Sequence, residues 1–329
     1  MQHRTLGNSG LRVSPVCLGT MTFGDPVSEA DSIRLVHTAL DLGINFIDTA
    51  NVYEGYRRVL GSAGGVSEEI VGKALRGRRD AAILATKVGA PVGPGAQDRG
   101  LSATHMLREL DCSLQRLQTD YIDLYIVHWP DKHTPLETSL AALDQAVRAG
   151  KVRCVGASNH SAAQLCRMLW LSDRHHWAPV VSSQIPYSML RRELHNDLDF
   201  CEEHQIAVTP YQPLQGGLLT GKYRRGQPPP DDSRLAEKPA WIWSPEDHLF
   251  DRLEAIEALA RQIDLPLVQY ALAWTLAQPA ITSLVVGAKQ AEQIEDAVAA
   301  LDATIPEEHL KQIETICPPP WRQPDPIRG

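Results

Sequence analysis

The chain predicts an α/β fold: a (β/α)8 barrel of the TIM type with long loops at one end. Two observations predict it. Strand and helix signals alternate along the sequence and reach eight strand–helix units in order. The strand candidates are short apolar runs of the kind buried on both faces, as in Ile44–Ile47, Ala82–Ala85 and Ile122–Val127. A third observation concerns chemistry. Asp48, Lys87 and His128 lie at the ends of those runs, and Tyr53 follows Asp48 in its loop. In a parallel barrel the C-terminal strand ends share one face. An acid, a phenol, an amine and an imidazole therefore converge there.

The elements follow in order. Val13–Gly19 is the first strand candidate. Ser28 to Leu42 carries Ile33, Val36, Ala39 and Leu40 at helical spacing, and Gly43 stops it. Strand two ends at Asp48. Helix two is Ser67 to Leu75, with Ser67 as N-cap and Glu68 and Glu69 in the first turn, where the dipole favours acids. Strand three ends at Lys87, and helix three spans Ser102 to Leu117. Strand four ends at His128. Helix four spans Leu136 to Ala149, with Gly150 at the C′ position. Strand five is Val152–Gly156 and helix five runs from about Ser161 to Leu171. Strand six is Val180–Gln184, and helix six runs from about Arg191 to His204. Strand seven is Ile206–Thr209 and helix seven Leu267 to Ala277. Strand eight, Ile281 to Val286, leads into a helix from Ala291 to Leu301. Each right-handed crossover returns the chain to the same side, which implies a parallel sheet. Leu18 to Gly24 follows strand one without a GxGxxG pattern, which disfavours a doubly wound dinucleotide domain.

Two segments interrupt the alternation. Tyr56 to Gly65 is longer than a tight turn needs. Lys222 to about Pro245 is rich in Pro, Asp and Arg, and follows strand seven, so it reads as a lid over the barrel mouth. One domain is expected over 1–329, with a Pro-rich extended tail at about 318–329.

Composition narrows the class. With 43% hydrophobic and 22% charged residues in 329, a large core can form. The net charge of −8, without blocks of like charge, argues against nucleic acid or an anionic membrane as partner. No apolar run approaches the length that spans a bilayer, and the N-terminus shows no secretory h-region, so a reducing cytoplasm is expected. Cys17, Cys112, Cys154, Cys166, Cys201 and Cys317 are scattered and lack metal-ligand spacing, so no metal is expected. His175 and His176 sit in a polar turn and read as solvated.

With these residues placed, the chain resembles the aldo-keto reductase superfamily from Leu6 to about Leu301. The resemblance rests on Leu18–Met21, Gly43–Tyr53, Ser67–Gly72, Thr86-Lys87, Asp120–Tyr125, Gly150–Arg153 and Gly156–Asn159. Leu218–Tyr223 points to the branch with bacterial Tas-like reductases, sugar reductases and potassium-channel β-subunits. The resemblance implies hydride transfer from nicotinamide to the carbonyl of a small-molecule aldehyde or ketone. Hydride arriving at a carbonyl carbon leaves negative charge on oxygen, so an acid must stand beside that oxygen. Tyr53 is the expected acid. A free phenol has a pKa near 10, and Lys87 beside it is expected to lower that value. Asp48 would hold Lys87, and His128 would orient the carbonyl.

The cofactor implied is NADPH, with NADH as the lesser candidate. Ser158, Asn159 and Gln184 resemble the residues that bind the nicotinamide carboxamide, and Tyr211 the one that stacks on its ring. The resemblance also assigns Gly19, Thr20, Met21 and Asp48 to the cofactor site. Gln212, Pro213, Leu214 and Gly216 would wrap the pyrophosphate, with Lys222 and Arg234 as counter-charges. Gly287, Lys289, Gln293 and Asp296 would hold the adenosine end, with Lys289 on the 2′-phosphate. The chain departs from the family's pattern at Glu54, beside the substrate pocket, at Gln212, in the pyrophosphate turn, and at Asp296-Ala297, where one adenine contact is expected to be missing. Phe23, Tyr56, Trp129 and the loop around Trp241 and Trp243 are expected to shape the substrate pocket. Two other functions stay open: a nicotinamide-sensing regulatory subunit with slow turnover, and a sugar enoyl reductase. A homo-oligomer is compatible with the sequence.

Overall fold

The computed structural model describes residues 1–243 and 246–319. A two-residue hairpin, β1 (Arg4–Thr5) with β2 (Arg12–Val13), precedes the main sheet. The sheet strands are β3 (Val16–Gly19), β4 (Phe46–Asp48), β5 (Ile83–Val88), β6 (Ile122–Val127), β7 (Val152–Ser158), β8 (Val180–Gln184), β9 (Ala207–Val208) and β10 (Leu284–Gly287). All eight are parallel, in the order β10-β3-β4-β5-β6-β7-β8-β9. Bridges Val208–Ile281 and Tyr211–Val285 join the two ends of that order. The fold is therefore α/β, with a curled parallel sheet.

The helices are α1 (Glu29–Asp41), α2 (Val66–Ala74), α3 (Ala103–Leu117), α4 (Leu136–Arg148), α5 (Ala162–His175), α6 (His195–Glu203), α7 (Arg234–Glu237), α8 (Asp247–Gln262), α9 (Leu267–Leu276), α10 (Ala291–Ala299) and α11 (Glu307–Ile316). Among the described residues, no helix is long and apolar enough to cross a membrane.

Strand side chains alternate between two packed layers, as the period of two requires. Cys17, Phe46, Ala85, Leu124 and Ile126 form an inner cluster, closed at one end by Leu6 and Val13 of the hairpin. Leu18, Ile47, Leu84, Tyr125 and Val127 face outward into the helix layer. The parity places the chemistry. Asp48 is two residues beyond Phe46, Lys87 two beyond Ala85 and His128 two beyond Ile126, so all three inherit the inner face.

Several expectations need correction. The first strand is split, because Pro15 has no N–H for the ladder; Val13 turns back to pair with Arg4 instead. Ser67 is not the N-cap of α2. The chain enters through Gly65 at φ 88°, and the Ser67 hydroxyl, wholly buried, donates to the Thr20 carbonyl at 2.9 Å. Helix six begins later, at His195. The expectation of one helix per strand leaves no place for α8 or α11. Yet α8 buries Leu249, Leu253, Ile256, Leu259 and Ala260 on one side. The segment after β9 is a strap that contains α7, and the expected tail at about 318–329 lies outside the described residues from 320 onward.

Gly72 shows how closely α2 and α3 meet. A Cβ there would lie 2.5 Å from the Arg116 carbonyl oxygen and 2.8 Å from the Leu117 carbonyl carbon. Helix propensity alone favours Gly72→Ala by about 1 kcal/mol. The backbone contact predicts the opposite, a loss of about 1–3 kcal/mol as in other overpacked sites. Chemical denaturation of the variant decides between them.

Candidate active site

Lys87 stands on the inner face of β5 and is 0% exposed. Its ammonium has three hydrogens and three acceptors. Nζ donates to Asp48 Oδ1 at 2.5 Å, to the Thr49 carbonyl at 2.8 Å and to the Tyr53 hydroxyl at 3.2 Å. All three acceptors belong to the end of β4 and its loop. The second Asp48 oxygen accepts from Gln184 Nε2 at 2.8 Å. Backbone bonds set this register. Thr49 N donates to Ala85 O, Asn51 N to Lys87 O and His128 N to Val88 O.

A bulge delivers Gln184. Val155 pairs with Val180 but Gly156 pairs with Ser182, so β8 carries one extra residue. Such a bulge re-aims the side chains beyond it.

The electrostatics follow from burial. Burial raises the Tyr53 phenol, and Lys87 pulls it down only in part, so its pKa ends above the ordinary value. This corrects the expectation of a phenol lowered toward neutrality: desolvation outweighs the neighbouring cation. Burial also opposes the Lys87 charge, but Asp48 and Tyr53 outweigh it and the ammonium's pKa is raised. Burial, then Lys87, hold the His128 imidazole well below its ordinary pKa, so it is neutral at pH 7. His128 stands edge-on to Tyr53, with ring centroids 5.9 Å apart. Its Nδ1 is buried without a partner among the described residues. A proton there would be an orphaned donor, which favours the tautomer carrying the hydrogen on Nε2.

The residues expected to hold the nicotinamide gather beside this group. Ser158 Oγ donates to Gln184 O at 2.9 Å. Asn159, at φ 61°, donates through Nδ2 to His128 O at 3.0 Å and accepts from the Tyr211 hydroxyl at 2.8 Å. That bond fixes the direction of the Tyr211 hydroxyl. Beyond it Gln212, Gln215, Gly216 and Gly217 all have left-handed φ values. A Cβ on Gly217 would lie 2.7 Å from Lys222 Cε, so the glycine lets a cation close on the turn. Pro213 is buried and Leu214 half-buried in the same turn.

The other expected residues fare differently. Gly19 pairs with Gly287 across the β3–β10 ladder, and Met21 is half-buried. Thr20 is wholly buried and its hydroxyl is committed to Asp48 O at 3.0 Å and Ser67 Oγ at 2.7 Å. Phe23 is a correction. It is 0% exposed among Val27 and Ile70 of the outer core, so it cannot line a pocket. Trp129 is exposed and stacks against His128. Lys289 Nζ is paired with Glu237 at 2.6 Å and donates to Asp232 O at 2.7 Å. Gln293 caps the Lys289 N–H at 2.7 Å, and Asp296 turns to Gln269 at 3.1 Å. Sequence reasoning missed Glu237 in the strap and the Thr49 carbonyl under Lys87. Neither leaves a signal, since one is a solitary acid and the other a backbone atom.

Comparison with known proteins places this geometry. The sequence profile of the Aldo/keto reductase family matches residues 15–317. The chain belongs to the aldo/keto reductase family. This aldo/keto reductase is 36% identical over 328 residues to the uncharacterized oxidoreductase YrpG of Bacillus subtilis, covering 97% of each chain. It is 34% identical to L-glyceraldehyde 3-phosphate reductase of Escherichia coli O157:H7, covering 95% of this chain and 92% of that one. It is 33% identical to a probable voltage-gated potassium channel subunit beta of Arabidopsis thaliana, covering 92% of each. The family makes it an oxidoreductase of carbonyl substrates.

Lys87→Met leaves Asp48 buried without its cation. Breaking a buried pair costs about 3–5 kcal/mol, so the midpoint of chemical denaturation should fall sharply. A variant as stable as the parent would remove the pair from its structural role.

Proposed function

We propose that this aldo/keto reductase is an NADPH-dependent reductase of aldehyde or ketone carbonyls, with Tyr53 as the proton donor on a closed (β/α)8 barrel. The contact of Lys87 with the Tyr53 hydroxyl carries the reading. The bridges that join β9 to the β10 edge support closure. The residues present fit a nicotinamide dinucleotide, since a left-handed glycine turn lies against Lys222 and a second cation, Lys289, follows β10. Ser158, Asn159, Gln184 and Tyr211 would hold the nicotinamide. The Gln212–Gly216 turn with Lys222 and Arg234 would hold the pyrophosphate, and Lys289 the 2′-phosphate. Lys289 already pairs with Glu237, so a 2′-phosphate must compete with that carboxylate.

The bound nicotinamide supplies the hydride. The chain's residues manage the proton. The raised phenol pKa keeps Tyr53 protonated through the neutral range, so the donor is charged with its proton before each turnover. As the carbonyl oxygen gains negative charge, Tyr53 Oη gives up that proton. Lys87 then stabilises the phenolate it leaves, and the neutral His128 donates from Nε2 to the carbonyl oxygen of the substrate.

The channel-subunit relative favours a second reading, a nicotinamide-binding regulatory protein with slow turnover. Steady-state NADPH oxidation with 4-nitrobenzaldehyde, followed by absorbance, separates the two. An enzyme gives saturating turnover; tight NADPH binding without turnover at any pH supports the sensor.

Tyr53→Phe should lower kcat by about 10²–10⁴-fold while NADPH affinity stays nearly constant, because only the acid is lost. The reduction rate of the parent should stay level through neutral pH and decline only in the alkaline range as the phenol ionises. A decline centred near pH 7 would contradict the upward shift. Lys289→Ala should weaken NADPH more than NADH in a fluorescence titration, and equal losses would remove Lys289 from the 2′-phosphate.

A further inference from the structure

Tyr56 lies in the enlarged loop after β4, where an aromatic residue reads as a substrate-pocket wall. The structure turns it toward the strap instead. Trp241 of the strap meets its ring edge-on, with centroids 5.6 Å apart. Three cations surround the same ring: Arg234 at 5.5 Å, Lys289 at 5.6 Å and Lys238 at 5.7 Å from its centroid. The residue is 7% exposed, and its hydroxyl is buried with no hydrogen-bond partner among the described residues.

Buried hydroxyls normally find a partner. Ammonium and guanidinium groups donate and cannot accept. The neighbours therefore leave the hydroxyl short of an acceptor, and the acceptor that suits it and three cations together is an anionic oxygen. The charges agree. Lys222 feels the like charges of Lys289 and Arg234 and the opposing charges of Asp232 and Glu237, and Lys238 adds a fourth cation beside the Tyr56 ring. Glu237 is taken up by Lys289 at 2.6 Å.

We propose that Tyr56 donates a hydrogen bond to a phosphate oxygen of the bound dinucleotide, with Arg234 and Lys238 closing on the same phosphate. The inference rests on the dinucleotide reading above and assigns the loop after β4 to the cofactor clamp. Loop and strap then grip one anion from two directions, and Trp241 covers the ring that carries the hydroxyl.

Tyr56→Phe tests this, because it removes one oxygen and keeps the ring beneath Trp241. Without cofactor, its melting temperature should equal or exceed the parent's, since no hydrogen bond is lost. NADPH and NADH are then titrated by fluorescence into parent and variant. The expected result is a dissociation constant raised about 10-fold. A loss confined to NADPH assigns the hydroxyl to the 2′-phosphate, and equal losses with both assign it to the pyrophosphate. Unchanged affinity for both cofactors overturns the inference and leaves the dinucleotide reading intact. A parent that binds neither cofactor overturns both. Lys238→Gln, at a half-buried position, gives an independent check: it should weaken the same cofactor or cofactors by a smaller factor, and unchanged affinity there removes Lys238 from the clamp.

Discussion

A lysine ammonium with no access to water has to be neutralised and fully hydrogen-bonded, and the rest of this site depends on that requirement. Lys87 meets it with Asp48, the Thr49 carbonyl and the Tyr53 hydroxyl. Because all three belong to one strand end and its loop, satisfying the cation also fixes the loop. The position of the phenol is thus a by-product of burying the charge. Gln184 completes the arrangement from the opposite direction by holding the free oxygen of Asp48. A looser loop would leave a buried cation short of an acceptor, so ordering the loop is the cheaper state.

The same burial sets the protonation pattern. A nearby cation favours a phenolate, yet the water-free surroundings disfavour any new charge, and for Tyr53 the second effect prevails. His128 is denied its charge by burial and by Lys87. At pH 7 the group therefore holds one charged ammonium, one protonated phenol and one neutral imidazole. Such a set offers donors to an oxygen that gains negative charge, which fits the carbonyl chemistry of the aldo/keto reductase family. The strap repeats the logic at the surface. There Lys289 and Arg234 gather near Tyr56, and Glu237 answers one of the cations.

Much of this was legible in the residues. The strand runs were visible because they are short and apolar, and the parity from Phe46, Ala85 and Ile126 to Asp48, Lys87 and His128 needs only a period of two. Local exceptions had local causes. Pro15 breaks the first strand through its missing N–H, and Gly65 takes over the entry to α2 that Ser67 was expected to cap. The helix pattern of α8 was equally readable, but a scheme of one helix per strand had no place for it. Phe23 misled for another reason: a residue two positions beyond an expected cofactor-site residue can turn into the outer core, and sequence spacing says nothing about that turn.

The sequence by itself determined the alternation of elements, the residues at the strand ends and the family, because each is written in periodicity and short segments. The tertiary structure alone decided where those groups point and what they meet. The bulge that brings Gln184 onto Asp48 is a register between strands. The pairing of Lys289 with Glu237 joins residues 52 apart. The upward shift of Tyr53 depends on how much water the packed core excludes. Register, long-range charge pairing and desolvation are properties of the folded whole, so no stretch of chain states them in advance.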